Sequence, residues 1–289
     1  MPELPEVEVV KRSLNNKVQN LIIKKVKIND SKLRYRINKN EVRKIIGLRI
    51  SKIERRSKFL LFFFNKNITM LVHLGMTGKF FFINQQNLKF KTSFYYDISD
   101  TKEQKHDRIV FFFNKNKKLI YNDVRKFGFI KFIFNGKPNE SPHLNKLGPE
   151  PLQKKFNYNY FKEYIKGKNR VVKDILMDQK FVSGIGNIYA SEILFLSKID
   201  PTRKVSLLQK EECKNLIINS KKILFNSIKK GGSSIKNFTD THGESGSFQK
   251  DFKVYGREGL NCKRSKCYGV IKKKIISNRS TFFCDLCQK

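Results

Sequence analysis

The chain has 289 residues and carries 61 Lys and Arg against 25 Asp and Glu, a formal net charge of +36. Such a surface calls for a polyanionic partner, nucleic acid being the commonest, and the length allows about two buried cores. The longest apolar runs, 59–64 and 127–134, are strand-sized and exclude a bilayer span. The charged first twelve residues do not read as a signal peptide, so a soluble cytoplasmic protein with no membrane partner is expected. The wealth of Lys, Asn, Ile and Phe and the absence of Trp also fit AT-rich coding, a bias that leaves the shortage of acidic residues unexplained.

Leu4, Val7, Val10 and Leu14 recur at helical steps, which predicts a helix from Glu3 to about Asn15 with Pro5 tolerated in its first turn. β-rich segments follow at 21–28, 48–55, 59–65, 69–73, 79–83, 94–98, 108–113, 118–122 and 128–134. Short strands so regularly spaced predict a sandwich or a barrel. Residues 135–151 hold Gly136, Pro138, Pro142, Gly148, Pro149 and Pro151, a density of breakers that marks a linker. Apolar spacing then predicts helices within 160–165, 171–177, 188–196 and 213–228, the last closed by Gly231 and Gly232. A polar glycine-bearing loop at 238–248 leads into a short ribbon.

That ribbon carries Cys262-x4-Cys267-x16-Cys284-x2-Cys287, four of the five cysteines of the chain. Two thiolate pairs on facing knuckles are the donor set of a tetrahedral structural Zn2+ site, and a ribbon this small needs the metal to fold. Cys213 falls on an apolar helical face and reads as core. Lys263, Arg264, Lys266, Lys272, Lys273, Lys274 and Arg279 crowd the same ribbon, a cationic cluster suited to a phosphate backbone.

The opening Met1-Pro2-Glu3-Leu4-Pro5-Glu6 admits two readings on its own. Proline and acidic residues commonly begin a helix. Equally, removal of Met1 leaves a secondary amine at Pro2 that can attack an aldehyde-like carbon, with Glu3 and Glu6 beside it to move protons. Gly184-x-Gly186 is a weak dinucleotide-loop lookalike, and Tyr189 at the position of its third glycine removes that reading.

Taken together, several blocks resemble bacterial formamidopyrimidine-DNA glycosylase, in that family's order and across essentially the whole chain. They are Pro2-Glu3-Leu4-Pro5-Glu6-Val7-Glu8, Lys58 within Arg55-Arg56-Ser57-Lys58-Phe59, His73-Leu74-Gly75-Met76-Thr77-Gly78 and Asp123-Val124-Arg125-Lys126-Phe127-Gly128. Gly184 to Glu192, Val254-Tyr255-Gly256-Arg257-Glu258-Gly259 and the cysteine hairpin with Asn278 to Phe282 complete the set. The resemblance implies an α+β multi-domain fold: an N-terminal β-sandwich with an N-terminal helix, a helix–two-turn–helix domain and a C-terminal zinc-ribbon hairpin. The corresponding spans are 1–135, a linker at 136–152, 153–237, and 238–289 with a lesion-capping loop ahead of the zinc hairpin.

The same resemblance implies a monomeric DNA-repair enzyme acting on damaged double-stranded DNA, a bifunctional glycosylase and abasic-site lyase for oxidised purines. Pro2 would be the nucleophile, Glu3 the proton-shuttling carboxylate, Lys58 a lysine that assists base release, and Glu6 a supporting pocket residue. Met76, Arg125 and Phe127 would fill the space left by an extruded nucleotide, with Arg125 facing the orphaned base. Asn187 and Arg279 would grip the backbone beside the lesion, with His73, Lys173 and Tyr255 as further phosphate contacts. Ser245 and Ser247 stand where this family commonly has Pro and Tyr, and Val124 where it often has Pro. Two rivals are the related endonuclease VIII type, which prefers oxidised pyrimidines, and a non-catalytic zinc-ribbon nucleic-acid binder. The binder has no use for a free proline amine.

Overall fold

The structure is a computed structural model that describes residues 1–84, 89–92 (backbone only), 104–114, 116–233 and 247–289. It divides into two compact units, one of residues 1–145 and 230–249, the other of residues 146–229 and 250–289.

The first unit opens with helix α1, Leu4–Val18, whose buried Leu4, Val7, Val10 and Leu14 form the expected stripe; the helix runs a turn further than expected, to the buried Val18. Among the described residues, nine strands make two antiparallel sheets. The five-stranded sheet has the order β1-β7-β8-β5-β6: β1 is Ile23–Ile28, β5 Lys79–Ile83, β6 Lys89–Thr92, β7 Asp107–Phe113 and β8 Lys118–Asn122. The four-stranded sheet has the order β2-β3-β4-β9: β2 is Ile50–Arg56, β3 Phe59–Phe64, β4 Ile68–His73 and β9 Phe129–Phe134. The sandwich alternative is therefore the right one. A short helix α2, Lys39–Arg43, capped by the Asn38 side chain, lies between β1 and β2 and has no apolar stripe to announce it. The expected strand at 94–98 lies outside the described residues.

Period-two alternation sends Leu60, Phe62 and Phe64 of β3 into one core with Phe80, Phe82, Phe111 and Tyr121 of the five-stranded sheet. The α1 stripe joins that core. Each such buried side chain contributes about 1.5–3 kcal/mol, and truncating Phe62 to Ala costs about 3–5 kcal/mol. The outer face of the five-stranded sheet buries a smaller cluster of Phe81, Val110 and Ile120.

The second unit holds four helices: α3 Tyr158–Ile165, α4 Val172–Met177, α5 Asn187–Ser197 and α6 Lys210–Lys229. Asn157 caps α3 by accepting the Tyr160 N–H at 3.0 Å. Phe181 gathers the rings of Phe156, Tyr160, Phe161 and Tyr164 around it. The hairpin of β10, Ile271–Ile276, and β11, Arg279–Cys284, turns through Ser277 and Asn278, both at positive φ as a tight two-residue hairpin turn demands. Glu192 on α5 ties the ribbon down: its carboxylate accepts the main-chain N–H groups of Lys253, Val254 and Tyr255 at 2.8–3.1 Å. No helix among the described residues is long and apolar enough to cross a membrane.

Candidate active site

In the first unit the site begins at the N-terminus of α1. Glu3 is the N-cap and Glu6 sits three residues on; the Glu3 side chain accepts the Glu6 N–H, and Glu6 Oε2 accepts the Glu3 N–H at 2.9 Å. The other Glu6 oxygen accepts both the N–H and the hydroxyl of Ser233, at 2.9 and 2.8 Å. Pro2, Glu3 and Glu6 are all buried. The helix start is therefore immobilised by its own carboxylates, with Pro2 directly ahead of it. Gly232 presses close to the Glu6 side chain, at a positive φ of 79°.

Lys58 occupies the two-residue turn between β2 and β3, where Ser57 takes the left-handed conformation at φ 56°. Its position is held from α1. Glu8 accepts a hydrogen bond from Arg55 Nε at 3.0 Å, and Arg55 Nη1 donates to the Ser57 carbonyl at 2.9 Å. Lys58 is buried, 7% exposed, and close enough to the terminal amine for their charges to interact.

The amino group of Met1 is held below its ordinary pKa. Burial is the largest cause, Glu3 and Glu6 oppose it, and Lys58 and Arg125 add to it. His73, at the end of β4, is pushed down to about 4, by burial first and then by the nearby cations Lys58 and Arg34. It is neutral at neutral pH. Nδ1 accepts the Gly75 N–H at 3.0 Å, so the ring proton sits on Nε2 and is available as an uncharged donor. The ring stacks on Phe129 with centroids 5.5 Å apart.

Two loops bring the next residues together, 74–78 with Met76 and 123–128 with Arg125 and Phe127. Met1, Arg34, His73, Gly75, Met76, Arg125, Lys126 and Phe127 line one cavity of about 690 Å³. Arg125 is exposed, its guanidinium 4.6 Å above the ring of Phe127, and Phe127 is 46% exposed. The wall contains three cations and no carboxylate. Arg34 was not singled out by sequence reasoning. It stands in a stretch of scattered charge, and only the hydrogen bond from its N–H to the Gly128 carbonyl, 3.1 Å, brings it here.

The second unit carries the remaining candidates. Asn187 begins α5, after Gly186 as N-cap and Gly184 at positive φ; its Nδ2 donates to the Ser280 carbonyl at 2.8 Å, and its Oδ1 is buried without a hydrogen-bond partner. Gln179 shapes this approach by accepting the Gly184 N–H and donating to the Ile185 carbonyl, both at 2.8 Å. Arg279 is exposed beside the hairpin turn. Tyr255 is half-buried, its ring 5.1 Å from that of Phe282. Lys173, expected at a phosphate, is 1% exposed, with its ammonium donating to Thr281 Oγ1 at 2.5 Å.

The four cysteine sulfurs lie within 4.8 Å of one another, with Cys262 to Cys287 at 3.9 Å and Cys267 to Cys284 at 3.7 Å. Zn–S bonds of about 2.3 Å in a tetrahedron set sulfurs about 3.8 Å apart, so the donor set fits zinc. Those separations are well beyond the ~2.05 Å of a disulfide.

Residues 1–130 match the family model of the formamidopyrimidine-DNA glycosylase N-terminal domain, and residues 147–239 match that of its H2TH domain. A formamidopyrimidine-DNA glycosylase of Rickettsia bellii is 39% identical, and one of Roseobacter denitrificans 37%, each alignment covering all of both chains. Among solved structures, a Lactococcus lactis Fpg mutant in complex with a Fapy-dG containing DNA superposes with a TM-score of 0.85 at 31% identity, covering all of both chains. A complex of Lactococcus lactis Fpg with an abasic site containing DNA gives 0.84 at 31% identity over 99% of each. Full-length identity well above 30%, both family domains in order and a shared fold establish that the chain belongs to the formamidopyrimidine-DNA glycosylase family of DNA-repair enzymes.

Proposed function

We propose that the protein excises oxidised purines, 8-oxoguanine and formamidopyrimidines, from double-stranded DNA and then cuts the strand at the resulting abasic site. The observation that carries this reading is the buried Pro2 ahead of a helix start locked by Glu3 and Glu6, at a cationic cavity that Met1 helps to line. Removal of Met1 converts the Pro2 nitrogen from an amide into a secondary amine. The Pro2 amine would then stand at the buried, cation-flanked helix start where burial, against Glu3 and Glu6, already holds the Met1 amine below its ordinary pKa, a setting that suits an unprotonated nucleophile.

The steps then balance. The Pro2 nitrogen attacks the sugar C1′, the bond from C1′ to the base breaks, and the base leaves with a proton. Glu3 protonates the ring oxygen as the C1′–O4′ bond opens, leaving a cationic iminium between Pro2 and C1′. Loss of a C2′ proton expels the 3′ phosphate, and a second elimination expels the 5′ phosphate, leaving a one-nucleotide gap. Lys58 assists base release. The damaged nucleotide must leave the stack to react, at a cost of a few kcal/mol. Met76 and Phe127 offset the lost stacking by wedging into the gap, while Arg125 offers its planar donors to the orphaned cytosine.

In the second unit, Asn187, Arg279 and Tyr255 hold phosphates, and Cys262, Cys267, Cys284 and Cys287 hold one structural Zn2+ that stiffens the hairpin. Lys173 supports this surface through Thr281 from within. Neutral His73 offers Nε2–H to a further phosphate. The protein acts as a monomer in the cytoplasm.

Borohydride reduction traps an iminium as a stable amine, so a duplex with 8-oxoguanine opposite cytosine should give a covalent protein–DNA adduct that Pro2→Gly weakens or abolishes. Absence of an adduct from Met1-processed protein on both this duplex and one with an abasic site would refute the mechanism. Faster cutting of thymine glycol than of 8-oxoguanine would refute the lesion class.

A further inference from the structure

One hydroxyl ties together the two loops at the cavity. Thr77 Oγ1 donates to Asp123 Oδ1 at 2.5 Å and accepts the Arg125 main-chain N–H at 3.0 Å. Asp123 Oδ2 accepts the Gly128 N–H at 2.8 Å, so this carboxylate also spans its own loop from first residue to last. Asp123 is fully buried, and Arg108 Nε donates to its carbonyl at 2.9 Å. Gly75, at φ 63°, lies so close to the main chain of Phe127 and Gly128 that a Cβ has no room there. The two loops are therefore in contact at the backbone and cross-linked through side chains.

We propose that Thr77 and Asp123 form a latch that makes loops 74–78 and 123–128 a single rigid probe, with Thr77 the positioning residue that sets where Arg125 meets the base opposite the lesion. The inference rests on the reading of Met76, Arg125 and Phe127 as that probe. The Arg125 side chain is long and exposed, so its reach is defined only if its main chain is fixed, and the Thr77 hydroxyl fixes it. The Arg125 guanidinium lies over the Phe127 ring, so a shift of the Arg125 main chain displaces both side chains. On the opposite side, Lys126, at φ 58°, is held by Asp30 at 2.8 Å, so the loop is anchored at both flanks of Arg125.

The chemistry selects the residue type. Thr77 has to donate and accept at once, which a hydroxyl does and an isosteric methyl does not. Loss of the latch leaves Pro2, Glu3 and Lys58 in place, so discrimination between opposite bases falls while the chemistry persists.

The test compares wild type with Thr77→Val, Thr77→Ser and Arg125→Ala. Single-turnover cutting is measured on duplexes with 8-oxoguanine opposite cytosine and opposite adenine. Borohydride trapping is measured on a single-stranded abasic oligonucleotide, which has no opposite base. Thr77→Val should lower the cytosine-to-adenine ratio about fivefold, the scale of one hydrogen bond's net contribution, with single-strand trapping unchanged. Thr77→Ser should retain the wild-type ratio. An unchanged ratio in Thr77→Val beside a reduced one in Arg125→Ala overturns the latch, as does an equal loss on all three substrates. A wild-type ratio in Arg125→Ala overturns instead the reading of the probe on which the latch rests.

Discussion

Glu8→Gln tests how Lys58 is held. Glu8 carries three cationic neighbours: Arg55 at 3.0 Å, Arg12 at 3.0 Å and Lys11 at 3.4 Å. Arg12 is 60% exposed, so its pair contributes little, and Lys11 adds little more at that distance. Arg55 is only 10% exposed and passes its constraint to the Ser57 carbonyl, one residue before Lys58. Replacing the carboxylate with an amide removes the charge of Glu8 from beside a nearly buried guanidinium, a loss of about 2 kcal/mol. For a unit of this size that is a Tm drop of about 4–8 °C.

The pH dependence has a definite sign. Burial pushes the Glu8 carboxyl up, but Arg55, Arg12 and Lys11 together outweigh it, so the group titrates below the usual carboxylate range. A carboxyl lowered on folding stabilises above its unfolded pKa of about 4.3, and that contribution disappears as the pH falls through the lower folded value. Thermal melts of wild type and variant should differ at pH 7 and converge in acid, while single-turnover rates fall more than DNA affinity because Lys58 loses its support. Equal melts at pH 7, or a gap that persists undiminished at pH 3, would refute the reasoning.

Lys58→Gln removes a cation that lowers the pKa of the Met1 amine; if the Pro2 amine exposed by Met1 removal meets the same charge, the acid limb of the trapping rate should move to higher pH, and a limb that stays put or moves the other way contradicts that neighbourhood. Chelation of zinc should unfold the ribbon, whose apolar cluster has only Phe195, Val254, Ile271 and Cys284 buried among the described residues. Amide exchange reads this directly, and retained protection across 271–284 after metal removal would count against a structural ion. Gly128→Ala sets a Cβ against the Tyr121 hydroxyl and about 2.7 Å from the His73 carbonyl; urea denaturation should show a loss of roughly 2–4 kcal/mol, and an unchanged midpoint would mean the loop has room to yield.

Features whose physics is periodic were legible before any coordinates. The α1 stripe, the alternation of β3 and the paired cysteines each follow from spacing along a few turns or strands. Contacts between distant positions were not. Thr77 and Asp123 are 46 residues apart and Glu6 and Ser233 are 227 apart, and nothing local marks either pair. Helix α2 escaped notice because its five residues bury only Val42. The resemblance places Lys173 at a phosphate, and nothing in its neighbours along the chain marks its burial on α4 or its bond to Thr281, 108 residues away. Pro2 is one of two readings of the opening residues, and the resemblance of blocks decides for it and supplies Lys58, Met76, Arg125 and Phe127. Without it, Met76 and Phe127 would have passed for core residues.

The bond between Glu6 and Ser233 has a consequence for biosynthesis. At about 5–20 residues per second, a ribosome reaches residue 233 roughly 10–50 seconds after it has made the N-terminus. Until then Glu6 lacks the two hydrogen bonds it accepts from Ser233, and the first unit is incomplete because its segment 230–249 has not been made. The N-terminal unit is therefore closed by a segment made late in synthesis, and its fold is completed only after most of the chain has emerged.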